Sequence, residues 1–261
     1  MSCWRLLVNK GPDMTYLVFR LYGPLASWGE VAVGESRHSA AYPSKSALLG
    51  LLGAALGIRR DQTDTQTALN NGYQFAVKML CNGTLLRDYH TTQVPDSVGK
   101  RVYRTRRDEL VFGQDRLGTV LSSREYRCDS KALIAVTANA DAPFSLAQLK
   151  EALLRPKFQL SLGRKACVLA APLAPDVVEA DGYKAALDRY AHADVMAKGW
   201  LEERWLPDDA PRYYWEGDRQ DLAADLDLST AQQLTRHDMP VSRERWQFKP
   251  RQEWYWQEVT V

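Results

Sequence analysis

The stretch Thr15–Gly57, TYLVFRLYGPLASWGEVAVGESRHSAAYPSKSALLGLLGAALG, decides the architecture. It opens on an alternation in which Leu17, Phe19 and Leu21 point one way and Tyr16, Val18, Arg20 and Tyr22 the other. That is the pattern of a half-buried strand. Gly23-Pro24 ends the strand, and a Gly-containing loop runs through Trp28-Gly29 to Tyr42-Pro43. Ser44 then reads as the N-cap of a helix from Lys45 to about Leu56, closed by Gly57. Within that helix Gly50, Gly53 and Gly57 recur at i, i+3 and i+7. Each glycine lowers helix propensity by roughly 1 kcal/mol, so the spacing predicts another backbone packed closely on this face. It is not a phosphate loop, because G-x-x-x-x-G-K-[ST] is absent.

Working outward, Tyr73–Cys81 alternates again, and Lys131–Asn139 reads as a third strand. Ser145 and Gln148 form a capping box for a helix through Leu154, which stops before Pro156. Ala166–Ala171 reads as a fourth strand. Strand, helix, strand, insertion, strand, helix, strand is an α+β, ferredoxin-like (RRM-like) βαββαβ order. The insertion, about 82–130, is too long for a plain connection and predicts a hairpin or thumb-like projection. After Pro172 proline, acid and tryptophan become frequent, and Trp200, Trp205, Trp215, Trp246, Trp254 and Trp256 are six of the eight tryptophans. The expected organisation is an N-terminal extension over 1–13, a ferredoxin-like domain over 14–172 with its thumb, and a smaller C-terminal subdomain over 173–261.

The 261 residues are 45% hydrophobic and 25% charged, a balance that excludes a mostly disordered chain. The longest apolar run, Ala47–Ile58, is shorter than the roughly 20 residues a membrane-spanning helix needs. Cys3, Cys81, Cys128 and Cys167 lie far apart with no C-x-x-C, which argues against zinc and for a reduced, cytoplasmic chain. The net charge of +2 hides segregation: Trp200–Ala231 holds nine acids against three bases, a local −6 that leaves +8 elsewhere. Lys100, Arg101, Arg104, Arg106 and Arg107 form one basic cluster, and Arg155, Lys157, Arg164 and Lys165 another. Such segregation suits a polyanion on one face and a protein partner on another.

Catalytic motifs are missing: there is no G-x-S-x-G, H-E-x-x-H, Walker loop or G-x-G-x-x-G. No cofactor or metal is expected. Tyr89, His90 and Lys45 are the residues that could cleave RNA without metal, one taking the 2′-hydroxyl proton and another protonating the leaving oxygen. RNA binding is better supported. Lys100–Arg107 offers several cations able to follow a phosphate backbone, with Tyr103 among them as a stacking surface. Gly163-Arg164-Lys165 offers a glycine turn followed by two cations, suited to a backbone-to-phosphate contact.

Six stretches make the chain resemble the CasD family of type I-E Cascade, the CRISPR surveillance complex: YLVFRLYGPLASWGE (Tyr16–Glu30), YPSKSALLGLLGAALGI (Tyr42–Ile58), LRDYHT (Leu86–Thr91), SREYRCDS (Ser123–Ser130), LRPKFQLSLGRKAC (Leu154–Cys167) and RQEWYWQ (Arg251–Gln257). The resemblance implies a non-catalytic RNA-binding subunit that holds the 5′ handle of the crRNA. It also implies a thumb that reaches the backbone subunit CasC, and contact with the large subunit CasA. Trp28, Gly29, Ser44, Lys45, Tyr89, His90, Gly163, Arg164 and Lys165 stand at matching motif positions and are expected to line or shape the handle site, together with Arg37. Lys100, Arg101, Arg104, Arg106 and Arg107 are assigned to RNA by charge, since the thumb differs from the family pattern. The competing reading is a metal-independent endoribonuclease that processes CRISPR repeat RNA.

Overall fold

The computed structural model describes residues 14–30, 32, 34–96, 102–112, 114–191, 210–242 and 245–258. The 1–13 extension, Lys100, Arg101 and the acidic 200–209 segment lie outside the described residues.

The first strand, β1 (Met14–Tyr22), is followed by a loop holding four two-residue strands: β2 (Leu25–Ala26), β3 (Trp28–Gly29), β4 (Ser36–Arg37) and β5 (Ser39–Ala40). Helix α1 (Lys45–Leu56) begins and ends where its caps demand. The Ser44 hydroxyl accepts from the Ala47 amide, and Gly57 closes the helix at φ 77°, a left-handed conformation that favours glycine. Helix α2 (Thr63–Gly72) leads into β6 (Tyr73–Cys81). The insertion is a long hairpin of β7 (Thr84–Pro95) and β8 (Leu117–Cys128), paired from Thr84↔Cys128 to Pro95↔Leu117, with α3 (Arg106–Phe112) between them. Then come β9 (Lys131–Ala138) and α4 (Leu146–Leu154), whose Ser145–Gln148 capping box forms as the sequence predicts. The chain ends through β10 (Asp176–Ala180), α5 (Tyr183–Asp188), β11 (Arg212–Trp215), β12 (Gln232–Ser242) and β13 (Gln247–Gln257).

One antiparallel sheet takes the order β10-β1-β9-β6-β11-β13-β12. β1 and β6 both pair with β9, so they run parallel with a strand between them, a split βαβ unit. The predicted strand at 166–171 is not one. It is a loop pinned by buried Leu162, Cys167 and Leu173, while Val168 between them is 43% exposed. Its apolar residues are anchors for a connection, and β10 takes the edge position beside β1. Strands on both sides of position 172 therefore share the sheet.

β1 was expected to be half-buried, and it is covered on both faces. Leu17, Phe19 and Leu21 pack with Leu48, Leu52, Leu149 and Leu153 of α1 and α4. Tyr16 and Val18 pack with Tyr183, Leu187, Trp215 and Trp256, supplied by the C-terminal third. The acid-rich, tryptophan-rich segment was expected to face a partner. Its described part contributes β11, with Tyr213, Tyr214 and Trp215 buried and paired on both edges. No helix of the described residues is long and apolar enough to cross a membrane.

Candidate nucleic-acid interface

Two glycine-bearing motifs, far apart in sequence, dock on each other. The Ser27 amide donates to the Leu162 carbonyl at 2.9 Å. Gly163 sits at φ +88°, and a β-carbon there would lie 1.8 Å from the Ser27 carbonyl oxygen. Only glycine satisfies both the backbone angle and that approach. The N-terminal turn of α1, with Ser46 and Ala47, borders the same space.

These elements form one wall of an open cleft of about 1270 Å³. Gly29, Ser44, Gly163, Arg164 and Lys165, five of the residues expected at an RNA site, line it together with Ser27 and Ser161. Gly50 and Gly53 line it too. Among the described residues the close backbone partner expected on this glycine face is absent there: Gly50 is exposed, and a β-carbon at Gly53 would meet only side-chain atoms at 3.9–4.0 Å. A second backbone does meet the helix end, where the Lys157 and Phe158 amides donate to Ala55 and Ala54. Over Gly50 the helix surface is bare and solvent-facing.

The rest of the lining comes from residues the sequence reading missed. Arg59 and Arg60 follow the C-terminal glycine of α1, and Thr235, Arg236, His237, Asp238, Trp246 and Phe248 come from β12 and β13 and the loop between them. The only local signal was the Arg59-Arg60 doublet after Gly57; the hairpin gave none, because its position depends on pairing with β11. Among the described residues, five cations (Arg59, Arg60, Arg164, Lys165, Arg236) line the cleft against two carboxylates, Glu30 and Asp238. Asp238 is already occupied, accepting from Arg251 Nε at 2.7 Å and Nη2 at 3.0 Å and from the Lys45 amide at 2.7 Å. That last bond ties the hairpin to the start of α1. The remaining field is positive.

Several expected contact residues hold the site from behind. Trp28 is 3% exposed and its amide donates to Ser39 Oγ. Lys45 does not reach the cleft: it is 4% exposed, and its ammonium group donates to Glu216 Oε2 at 2.6 Å and to the Tyr73 carbonyl at 3.1 Å. Arg164 donates to the carbonyls of Glu125 and Arg37 and lies 4.7 Å over the Tyr126 ring, so it also braces the root of the hairpin. Glu125, buried at that root, accepts from Arg87 at 2.8 Å, from the Ser39 amide and from His38. The Arg87 bond holds its carboxyl below the usual range. A lowered carboxyl stabilises the fold above its unfolded value and ceases to as pH falls through the folded one. Thermal unfolding between pH 7 and pH 3 should therefore show an acid-side loss that Glu125→Gln removes. An unchanged pH profile in the variant would exclude this role.

Tyr89 and His90 sit on β7, away from the cleft. As strand neighbours they project from opposite faces of the hairpin, and His90 pairs with Asp88. With Lys45 buried under α1, the three candidate cleavage residues are not brought together. Arg104, Arg106 and Arg107 are exposed near α3 and do not line the cleft; Arg106 is bound to Glu109 at 2.6 Å and to the Gln93 carbonyl.

A family described as CRISPR-associated protein (Cas_Cas5) matches residues 16–252, spanning every wall of the cleft. The chain belongs to the CasD family. The CRISPR system Cascade subunit CasD of Escherichia coli (strain K12) is 35% identical over 184 residues, 67% of this chain and 77% of that protein. Among solved structures, a chain of a CRISPR RNA-guided surveillance complex superposes with a TM-score of 0.60 at 23% identity, covering 93% of this chain and 89% of the other. A second, described as a Cas protein, superposes at 0.51 and 22% identity over 92% and 94%. These structural likenesses establish the fold that this CasD-family chain shares.

Proposed function

We propose that this CasD-family protein is a non-catalytic subunit of a type I-E Cascade complex that holds the 5′ handle of the crRNA in the cleft. One observation carries the reading: the Trp28-Gly29 loop, the first turn of α1 and the Gly163-Arg164-Lys165 turn meet along a single positively charged cleft. Phosphates would approach the bare helix surface and turn amides, with Arg59 and Lys165 neutralising them. The hairpin is the thumb. It would reach the backbone subunit CasC, with Arg104, Arg106 and Arg107 and the exposed Val111 and Phe112 as its contacts with guide and neighbour, and the complex would also bring the chain against CasA. Tyr89 and His90 belong to this thumb, and no metal or cofactor enters the proposal.

The test incubates the purified chain with end-labelled repeat RNA in EDTA and scores binding and cleavage together. Binding without cutting, weakened when the handle sequence is scrambled, is the expected result. A defined cut abolished by His90→Ala would instead make the chain a processing endoribonuclease. Lys165→Ala and Arg59→Ala should each lower the slope of log K against log[salt] by about one unit. Unchanged slopes in both variants would remove the cleft from the phosphate path.

A further inference from the structure

Trp246 has a backbone that tryptophan seldom adopts. It sits at φ 52° in the loop between β12 and β13, just before the paired position Ser242↔Gln247 resumes the ladder. Hairpin loops commonly place glycine or asparagine at such a left-handed position, and a bulky residue there is strained. Strain of this kind persists where the surroundings hold it, and it clusters at ligand-binding sites. The ring is nevertheless 58% exposed, so burial does not hold it there. It lines the cleft, and Arg60 lies 4.7 Å over it as a cation–π partner. Phe158 and Phe248 line the same cleft, Phe158 being 43% exposed.

The first turn of α1 and the Arg60–Trp246 pair stand at opposite ends of the helix. Ser46 and Ala47 mark its first turn, and Arg60 follows its last. The 12 residues of α1 cover about 18 Å at 1.5 Å per residue. A strand laid along the helix from the glycine turn would therefore reach Arg60 and Trp246 after leaving the helix N-terminus. Single-stranded nucleic-acid sites combine a charged track with aromatic faces for unstacked bases, and Arg planes serve alongside them.

We infer that Trp246, backed by Arg60, is a stacking platform for one unpaired base of the bound RNA at the far end of the cleft. The inference rests on the handle reading above and deepens it. The exposed face of the indole receives the base, while Arg60 holds the other side and adds charge toward the neighbouring phosphate. A hydrophobic side chain of a partner protein is the competing occupant.

The experiment measures binding of the full chain to handle RNA in which each handle nucleotide in turn is made abasic. Trp246→Gly should weaken binding of the intact RNA on the order of 5- to 100-fold, the range for a lost base–aromatic stack. One abasic position should weaken the wild-type chain to a similar degree and cause no further loss in the variant. Trp246→Phe should keep most of the affinity. Thermal stability of the glycine variant should hold or rise, because glycine relieves the backbone angle. Should it fail to fold, Trp246→Asn, also at home in the left-handed region, replaces it.

Unchanged affinity overturns the inference, as does a loss that adds to the abasic penalty at every position, which would make Trp246 a packing residue or a protein contact. The handle reading has its own failure: a wild-type chain that binds scrambled RNA as well as handle RNA. In that event coupling between Trp246 and one abasic position still carries the stacking platform, since stacking needs no particular base.

Discussion

Lys45→Met is expected to lower the free energy of unfolding by about 3–5 kcal/mol, the usual effect of removing one partner of a buried ion pair. Lys45 is 4% exposed, and Glu216, 8% exposed, has its ammonium group 2.6 Å away. Burial already pushes the Glu216 carboxyl above its ordinary range against the pull of Lys45 and Arg251. Without Lys45 it rises further and must take a proton to stay inside. A carboxyl raised by folding supports the fold while protonated and loses that support as pH climbs through the folded value. The variant should thus be least impaired in acid and fall away toward neutral pH. Lys45→Met with Glu216→Gln should recover part of the loss. Urea denaturation at several pH values measures all of this. An unaltered midpoint accompanied by weaker RNA binding would mean that Lys45 serves the RNA directly.

Gly163→Ala should be nearly as damaging, at about 2–5 kcal/mol from backbone strain and overpacking together. The added carbon would lie 1.8 Å from a carbonyl oxygen, and Ser27 cannot retreat cheaply because its amide is bound to Leu162. The glycine turn would part from the loop and take Arg164 with it, opening the cleft wall. RNA affinity should therefore fall with stability. Gly29→Ala is the contrasting case: a β-carbon there meets nothing within 4 Å. Its denaturation midpoint should stay within about 0.5 kcal/mol of wild type, as for ordinary surface changes. Any loss of RNA binding in that variant reports a phosphate or base passing over Gly29. Equal destabilisation by the two substitutions would refute the distinction.

Local chemistry was legible where the interactions are local. Ser44 and Gly57 bound α1, and Ser145 with Gln148 starts α4, because each cap is completed within three or four residues. The alternation of β1 and β6 was equally plain, and the apolar run of β9 read as a strand without it. At 166–171 the same rule failed, since buried anchors in a loop can produce a short apolar pattern without a strand partner. On β1 it fell short in another way: Tyr16 and Val18 are buried by Trp215 and Trp256, some two hundred positions downstream.

The sequence by itself determined the caps, the main strands, the hairpin insertion and the motifs that place the chain in its family. Tertiary structure alone decided the duty of each motif residue. Neighbours Ser44 and Lys45 part company, one lining the cleft and the other buried on Glu216, 171 positions away. It also brought Arg60 and Trp246 together and left Gly50 exposed on the helix surface. The physical reason is that exposure and ion pairing depend on which distant strand arrives alongside. That follows from closing the whole sheet, and no window of neighbouring residues contains it.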